Sequence, residues 1–266
     1  MNVCCIQLNT GENLKINNKR VISLILKAIE KGCDLIITPE ATSLLTDNKK
    51  KLFNNSFKMN EDPFLKKVSE ISKNYKKWIL IGSVFVKERN YLRNRSIIFN
   101  PEGKIENYYD KISMFDVKLD NGEIFKESNQ FKAGKKLRIV KLPWGSLGMT
   151  ICYDLRFPEI YRALSKKNVL FISIPSAFTK YTGKKHWITL LRARAIENFC
   201  YIFAPNQTGK NTKKRETFGH SVIISPDGKI LKMIKYKVGL IKFKIDPNLA
   251  TKLRLLIPSL QNNINK

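Results

Sequence analysis

Histidine is nearly absent from this chain. Its 266 residues include two, His186 and His220, well separated along the sequence, and no Cys-x-x-Cys pair occurs. A Cys/His metal cluster needs several such ligands at close spacing, so no metal site is expected. The five cysteines, Cys4, Cys5, Cys33, Cys152 and Cys200, are odd in number and irregular in spacing. That argues against a disulfide framework and fits a reducing, cytoplasmic compartment. No apolar run approaches the roughly 20 residues of a membrane helix, so no membrane partner is expected. The amino-terminal stretch lacks a basic region followed by a longer apolar segment and small cleavage residues, so no signal peptide is expected.

Acidic residues are also scarce, 22 against 49 lysines and arginines, giving a formal charge of +27. Such a balance invites a nucleic-acid reading. Against it, the lysines are scattered rather than gathered in one arm or helix, and no binding motif with interleaved aromatics is present. Lysine is accompanied by abundant Asn and Ile, as the codon usage of an A/T-biased genome would produce. Solvated surface is the better reading, with weak binding to polyanions as its physical residue. No low-complexity linker divides the chain, and 43% hydrophobic residues suffice for one sizeable core. A single domain over residues 1–266 is expected.

What the chain does contain is an alternation of strand and helix patterns. Val3 to Leu8 reads as a buried strand. Val21, Leu24, Ile25, Ala28 and Ile29 recur at helical spacing. Leu35 to Thr38 is a second strand, and Phe64, Leu65, Val68 and Ile71 mark a helix with Pro63 near its start. Trp78 to Val86 and Arg95 to Phe99 follow as strands. The second half repeats the rhythm. Strands cover Val140 to Leu142 and Leu147 to Ile151, then come a helix from Pro158 to Lys166, a strand from Val169 to Ile174, a long helix from about Lys184 to Phe199, and a strand from Cys200 to Ala204. Two turns look alike, Asn100-Pro101-Glu102-Gly103-Lys104 and Ser225-Pro226-Asp227-Gly228-Lys229, and each is expected to join two strands. The alternation argues an α/β fold.

Three strand ends carry chemistry. The run Leu147-Gly148-Met149-Thr150-Ile151 stops at Cys152, and Pro158 then opens a helix. A thiol on a sharp strand-to-helix turn is exposed and lies near helix amides that favour a thiolate. Asp34-Leu35-Ile36-Ile37-Thr38-Pro39 stops at Glu40, and Tyr108-Tyr109-Asp110 stops at Lys111. Sites in α/β folds gather at the carboxyl ends of strands. A thiol, a carboxylate and an ammonium group are chemically complementary for attack on a carbonyl.

These segments resemble the nitrilase, or carbon–nitrogen hydrolase, superfamily, from Asn2 to about Pro247. The likeness is carried by Pro39-Glu40, the loop of Lys111, and Cys152-Tyr153-Asp154-Leu155-Arg156-Phe157-Pro158-Glu159. It is strongest to the Nit branch of deaminated glutathione amidases and ω-amidases, through Phe115-Asp116-Val117, Phe125-Lys126-Glu127-Ser128, Ala177-Phe178-Thr179, His186-Trp187, Arg192-Ala193-Arg194-Ala195-Ile196-Glu197-Asn198 and Phe218-Gly219-His220-Ser221. The resemblance implies a four-layer αββα sandwich and no cofactor. It implies that the tail, residues 251–266, is a short helix or arm used in a homodimer. It also implies an amidase acting through a cysteinyl thioester on a small carboxylate-bearing amide. Deaminated glutathione is the leading substrate and α-ketoglutaramate the neighbouring one. A catalytically silent, basic nucleic-acid-binding protein and a true nitrilase are the competing classes.

Residue by residue, the resemblance makes Cys152 the nucleophile, Glu40 the proton carrier, and Lys111 with the Tyr153 N–H the holders of the tetrahedral oxygen. Glu127 matches a second glutamate that orients Lys111 or the reactive water. Arg156 and Thr179 match substrate-binding positions, and a guanidinium suits a carboxylate. A salt bridge from Arg156 to Asp154 or Glu159 is the competing reading. Arg192, Arg194 and Glu197 stand at ion-pair spacing on a helix, and His186 and His220 are read as structural. The chain departs from the branch at Ser113 and Asn211, where histidine is usual, and at Asp110, where a basic residue is common. These departures bear on substrate identity.

Overall fold

The computed structural model describes residues 1–120 and 122–261. The first half of the chain forms β1 (Asn2–Gln7), α1 (Leu14–Glu30), β2 (Leu35–Ile37), α2 (Lys49–Asn54), α3 (Pro63–Tyr75), β3 (Trp78–Glu88), β4 (Tyr91–Phe99), β5 (Ile105–Asp110), β6 (Asp116–Lys118) and β7 (Ile124–Lys126). The second half forms β8 (Arg138–Leu142), β9 (Gly145–Met149), α4 (Pro158–Ser165), β10 (Val169–Ser173), α5 (Lys180–Asn198), β11 (Tyr201–Ala204), β12 (Thr208–Lys210), β13 (Glu216–Phe218), β14 (Ser221–Ile224), β15 (Ile230–Ile234), β16 (Gly239–Lys244) and α6 (Asn248–Leu256).

Twelve of these strands make two six-stranded sheets, ordered β16-β1-β2-β3-β4-β5 and β15-β14-β11-β10-β9-β8. Within each, a parallel core of three strands is flanked by antiparallel ones: β1, β2 and β3 in the first sheet, β9, β10 and β11 in the second. Successive side chains on a strand point to opposite faces, and the two faces of β1 show it. Val3 and Cys5 join the inner cluster with Leu35, Leu80, Met149, Phe171 and Phe203 of both sheets. Cys4 and Ile6 join the outer cluster with Val21 and Ile25 of α1 and Phe64 and Val68 of α3. The second sheet is covered outside by α4 and α5, which contribute Ile160, Leu164, Trp187 and Leu191. Helix, sheet, sheet and helix therefore stack in four layers, as the resemblance implied.

The helices start where chemistry allows. Asp62 caps α3 by accepting the Phe64 N–H at 2.8 Å, with Pro63 in the first turn. The Thr179 hydroxyl caps α5 by accepting the Thr182 N–H. That cap starts α5 four residues before the expected Lys184, and it places His186 inside the helix. Trp187, Leu191 and Ala195, four apart, are fully buried along its inner stripe. His220 is buried with φ +57° immediately ahead of β14 rather than within it. Both look-alike turns close as expected, through Asn100 N to Lys104 O and Ser225 N to Lys229 O at 3.0 Å each. The pairs β6–β7 and β12–β13, and the short α2, have no counterpart in the sequence reading. Their residues are mostly charged or exposed and carry little apolar periodicity. Of the expected arm, α6 is described, and residues 262–266 lie outside the described residues. No helix among the described residues is long and apolar enough to cross a membrane.

One glycine fixes how the sheets meet beneath the site. A Cβ on Gly82 of β3 would lie 1.9 Å from the Thr38 carbonyl oxygen and 2.4 Å from Cβ of Pro175. Thr38 leads to Glu40 in one sheet, and Pro175 follows β10 in the other. Gly82→Ala is expected to destabilise the fold by about 1–3 kcal/mol or more through overpacking, read by denaturant unfolding. It should also lower activity, because both displaced segments border Cys152 and Glu40.

Candidate active site

The three strand ends converge. Glu40 follows β2, Lys111 follows β5 and Cys152 follows β9, and all three line one cavity of about 540 Å³. Lys111 Nζ donates to Glu40 Oε1 at 2.9 Å and to Glu127 at 2.8 and 2.9 Å. Glu127 sits in a single helical turn after β7. Its Oε2 also accepts the Phe115 N–H at 2.7 Å, which fixes the loop that delivers it. Glu40 and Lys111 are almost fully buried. Burial alone would lower the Lys111 pKa, but the carboxylates of Glu127 and Glu40 outweigh it and raise it, so the ammonium stays charged.

Glu40 experiences the converse. Burial would push its pKa up, but Lys111 and then Arg215 hold it below the usual carboxylate range. Its Oε2 accepts the Ala177 N–H at 2.8 Å, and it lines the same cavity as the Cys152 thiol, whose pKa its charge raises. Burial pushes the Cys152 pKa up, the Glu40 charge adds to this, and Lys111 opposes it. The resting pair is therefore a buried, protonated thiol, not the exposed thiolate that the strand-to-helix turn suggested, beside an ionised carboxylate, the arrangement a nucleophile and its general base require.

The turn carrying Cys152 is strained and firmly held. Cys152 has φ +48°, in a region that residues with a side chain seldom adopt. Its N–H donates to Pro175 O at 3.0 Å. Buried Asp154 anchors the turn by accepting from Ile151 N (2.9 Å), Tyr109 Oη (2.7 Å) and Ser113 N (2.9 Å). One carboxylate thus joins the Cys152 turn to the Lys111 loop, although burial raises its pKa. The departures have local partners. Ser113 enters this network through its backbone, Asp110 pairs with Arg95 at 2.7 Å, and Asn211 donates to Thr10 O and accepts from Thr217.

Tyr153 and Thr179 line the cavity, but Arg156 does not. The Arg156 guanidinium lies 3.2 Å from His186 Nδ1 and over the rings of Phe178 and Tyr153. It forms no salt bridge with Asp154 or Glu159 among the described residues. Arg194 pairs with Glu197 at 2.9 Å and donates to Leu155 O, while Arg192 donates to Gly228 O. Both arginines hold the framework together.

Two contributors escaped the sequence reading. Asn94 of β4 donates through one amide nitrogen to Glu40 at 2.9 Å and to Glu127 at 3.2 Å. The expected strand began one residue later, at Arg95, whereas β4 begins at Tyr91 and sets Asn94 beside Lys111, whose N–H donates to Asn94 O. Arg215 lines the cavity from the loop between β12 and β13. In the run Lys213-Lys214-Arg215-Glu216 nothing distinguished it from solvated surface.

Asp154→Ala would strand three donors, two of them buried, and should cost about 3 kcal/mol of stability. Tyr109→Phe, which removes one of them, should cost about 1 kcal/mol. Urea unfolding of both variants checks the ranking.

Comparison with known proteins agrees with this site. The carbon–nitrogen hydrolase family model matches residues 2–255. The chain is 38% identical to the deaminated glutathione amidase of Yersinia enterocolitica over 98% of its own length and 92% of that protein. It is 36% identical to the probable hydrolase nit2 of Schizosaccharomyces pombe over 97% and 95%. The crystal structure of the Caenorhabditis elegans NitFhit protein superposes with a TM-score of 0.93 at 31% identity; it covers 99% of this chain, which spans 65% of that fusion protein. Saccharomyces cerevisiae Nit3, a member of branch 10 of the nitrilase superfamily, gives 0.86 at 25% identity over 100% and 97%. The chain belongs to the carbon–nitrogen hydrolase family and is a hydrolase of carbon–nitrogen bonds other than peptide bonds.

Proposed function

We propose that the protein is a single-domain amidase that hydrolyses a small carboxylate-bearing amide through a thioester on Cys152, with deaminated glutathione as its substrate. The observation that carries the mechanism is the shared carboxylate. Glu40 bonds Lys111 at 2.9 Å and stands with the Cys152 thiol on the wall of one cavity. Glu40 takes the thiol proton as Sγ attacks the amide carbon. Lys111 Nζ and the Tyr153 N–H stabilise the tetrahedral oxygen. Glu40 then gives the proton to the departing amine or ammonia, and the C–N bond breaks. A water deprotonated by Glu40 cleaves the thioester, releasing the acid and restoring the thiol. Glu127 and Asn94 hold Lys111 and Glu40 in register, and Thr179 meets the substrate. Arg156 reaches a substrate carboxylate only by leaving its contact with His186.

The substrate rests on the names of the relatives and on a cavity of about 540 Å³ bearing cations. The near alternative is ω-amidase action on α-ketoglutaramate. The five free cysteines support a reducing, cytoplasmic compartment. Exposed Leu255, Leu256 and Ile257 on and after α6 support a homodimer formed through that end.

Turnover of the two amides, compared directly, tests the assignment, and activity on neither would reject it. Cys152→Ala should lower turnover by at least about 10⁴-fold and abolish the thioester adduct seen by intact mass, with folding unchanged. The pH profile adds an independent check. A base whose pKa is lowered stays ionised further into acid, so the acid limb of kcat/KM should lie below the ordinary glutamate value of about 4.3. An acid limb above about pH 5 would argue against Glu40.

A further inference from the structure

We propose that Arg215 is the residue that receives the substrate's carboxylate, so that specificity is set from the loop between β12 and β13 rather than from the turn of the nucleophile. This rests on the amidase reading above and deepens it. Four cations line the cavity: Lys111, Lys126, Lys214 and Arg215. Lys111 is occupied by two carboxylates. Lys126 and Lys214 are exposed to solvent, whereas Arg215 is half-buried. A partly desolvated cation binds an anion with far less competition from water than an exposed one.

Arg215 is held ready and left incomplete. Its N–H donates to Thr212 Oγ1 at 3.0 Å, and its carbonyl accepts the Asn211 N–H at 3.0 Å. The Thr212 hydroxyl in turn donates to Asp47, so the loop is pinned across the cavity wall. The guanidinium donates from Nη2 to Ala177 O at 3.0 Å, while its Nε has no partner. Among the described residues it forms no ion pair, and the Phe125 ring centroid lies 5.8 Å away. A fixed guanidinium with most of its fork unused, on the wall of the cavity that holds a nucleophile, is built to take a carboxylate.

The same side chain is tied to the chemistry. Ala177 accepts from Arg215 through its carbonyl and donates to Glu40 through its N–H. Arg215 also helps keep Glu40 ionised. An arriving carboxylate neutralises part of that field and makes Glu40 a stronger base when the right substrate is bound.

The test uses succinamate, which carries a carboxylate, and butyramide, its neutral counterpart of equal length. In a Cys152→Ala background, adding Arg215→Met should weaken succinamate binding by about 10- to 100-fold in calorimetry. In the active enzyme the same variant should lower kcat/KM for succinamate about 10- to 100-fold more than for butyramide, and move the acid limb upward. Arg215→Lys should fall between, since it keeps the charge and loses the fork. Thermal melting confirms that each variant is folded. Equal losses on both amides, unchanged succinamate binding, no binding to Cys152→Ala at all, or the selective loss appearing in Arg156→Met instead would each overturn the proposal. Turnover of neither amide by the unaltered enzyme would count against the amidase reading alone, because the calorimetric comparison decides Arg215 without catalysis.

Discussion

Lys111 is held between two carboxylates in the interior, and the site is organised around that contact. Moving an ion pair out of water costs several kcal/mol per ion unless hydrogen bonds complete the shell. Here they do. Glu40 is completed by Asn94 and Ala177, and Glu127 by Asn94 and the Phe115 N–H. The donors come from β4, the segment after β10, and the loop before β6. Placing the ammonium correctly therefore requires both sheets and the β6–β7 hairpin to be in place. Asp154 extends the demand by joining the Cys152 turn to the Lys111 loop.

Catalytic power follows from the same economy of charge. Two carboxylates face one ammonium, so the cluster carries an excess negative charge before the thiol ionises. Forming a free thiolate there would add a second, and burial raises that cost further. In the proposed mechanism the thiol loses its proton as the carbon–sulfur bond forms, and the new charge passes to an oxygen beside Lys111. Arg215 offsets the excess from the far side of Ala177.

Much of this was legible in the residues. Glu40, Lys111 and Cys152 each end a short strand, and that pattern, with the family resemblance, was enough to gather them. Periodicity gave the helices because Val21, Ile25 and Ala28, or Phe64, Val68 and Ile71, repeat on one face. It did not give the layering. A strand such as Val3-Cys4-Cys5-Ile6 is apolar throughout because its two faces meet different partners, a sheet and a helix layer, and a continuous run hides that difference. Asn94 and Arg215 were illegible for another reason. Their meaning lies in what they face across the fold, and locally they look like an ordinary strand polar group and one more cation in a basic loop. The start of α5 was misplaced because Thr179 was read only as a pocket residue, whereas it also caps the helix.

The burial of Cys152 has a consequence for how the enzyme endures between turnovers. A sulfur kept protonated and shielded is a poor target for peroxides and alkylating agents, which attack the anion. The raised thiol pKa keeps the anion scarce at neutral pH, so the resting sulfur meets adventitious electrophiles in its less reactive form.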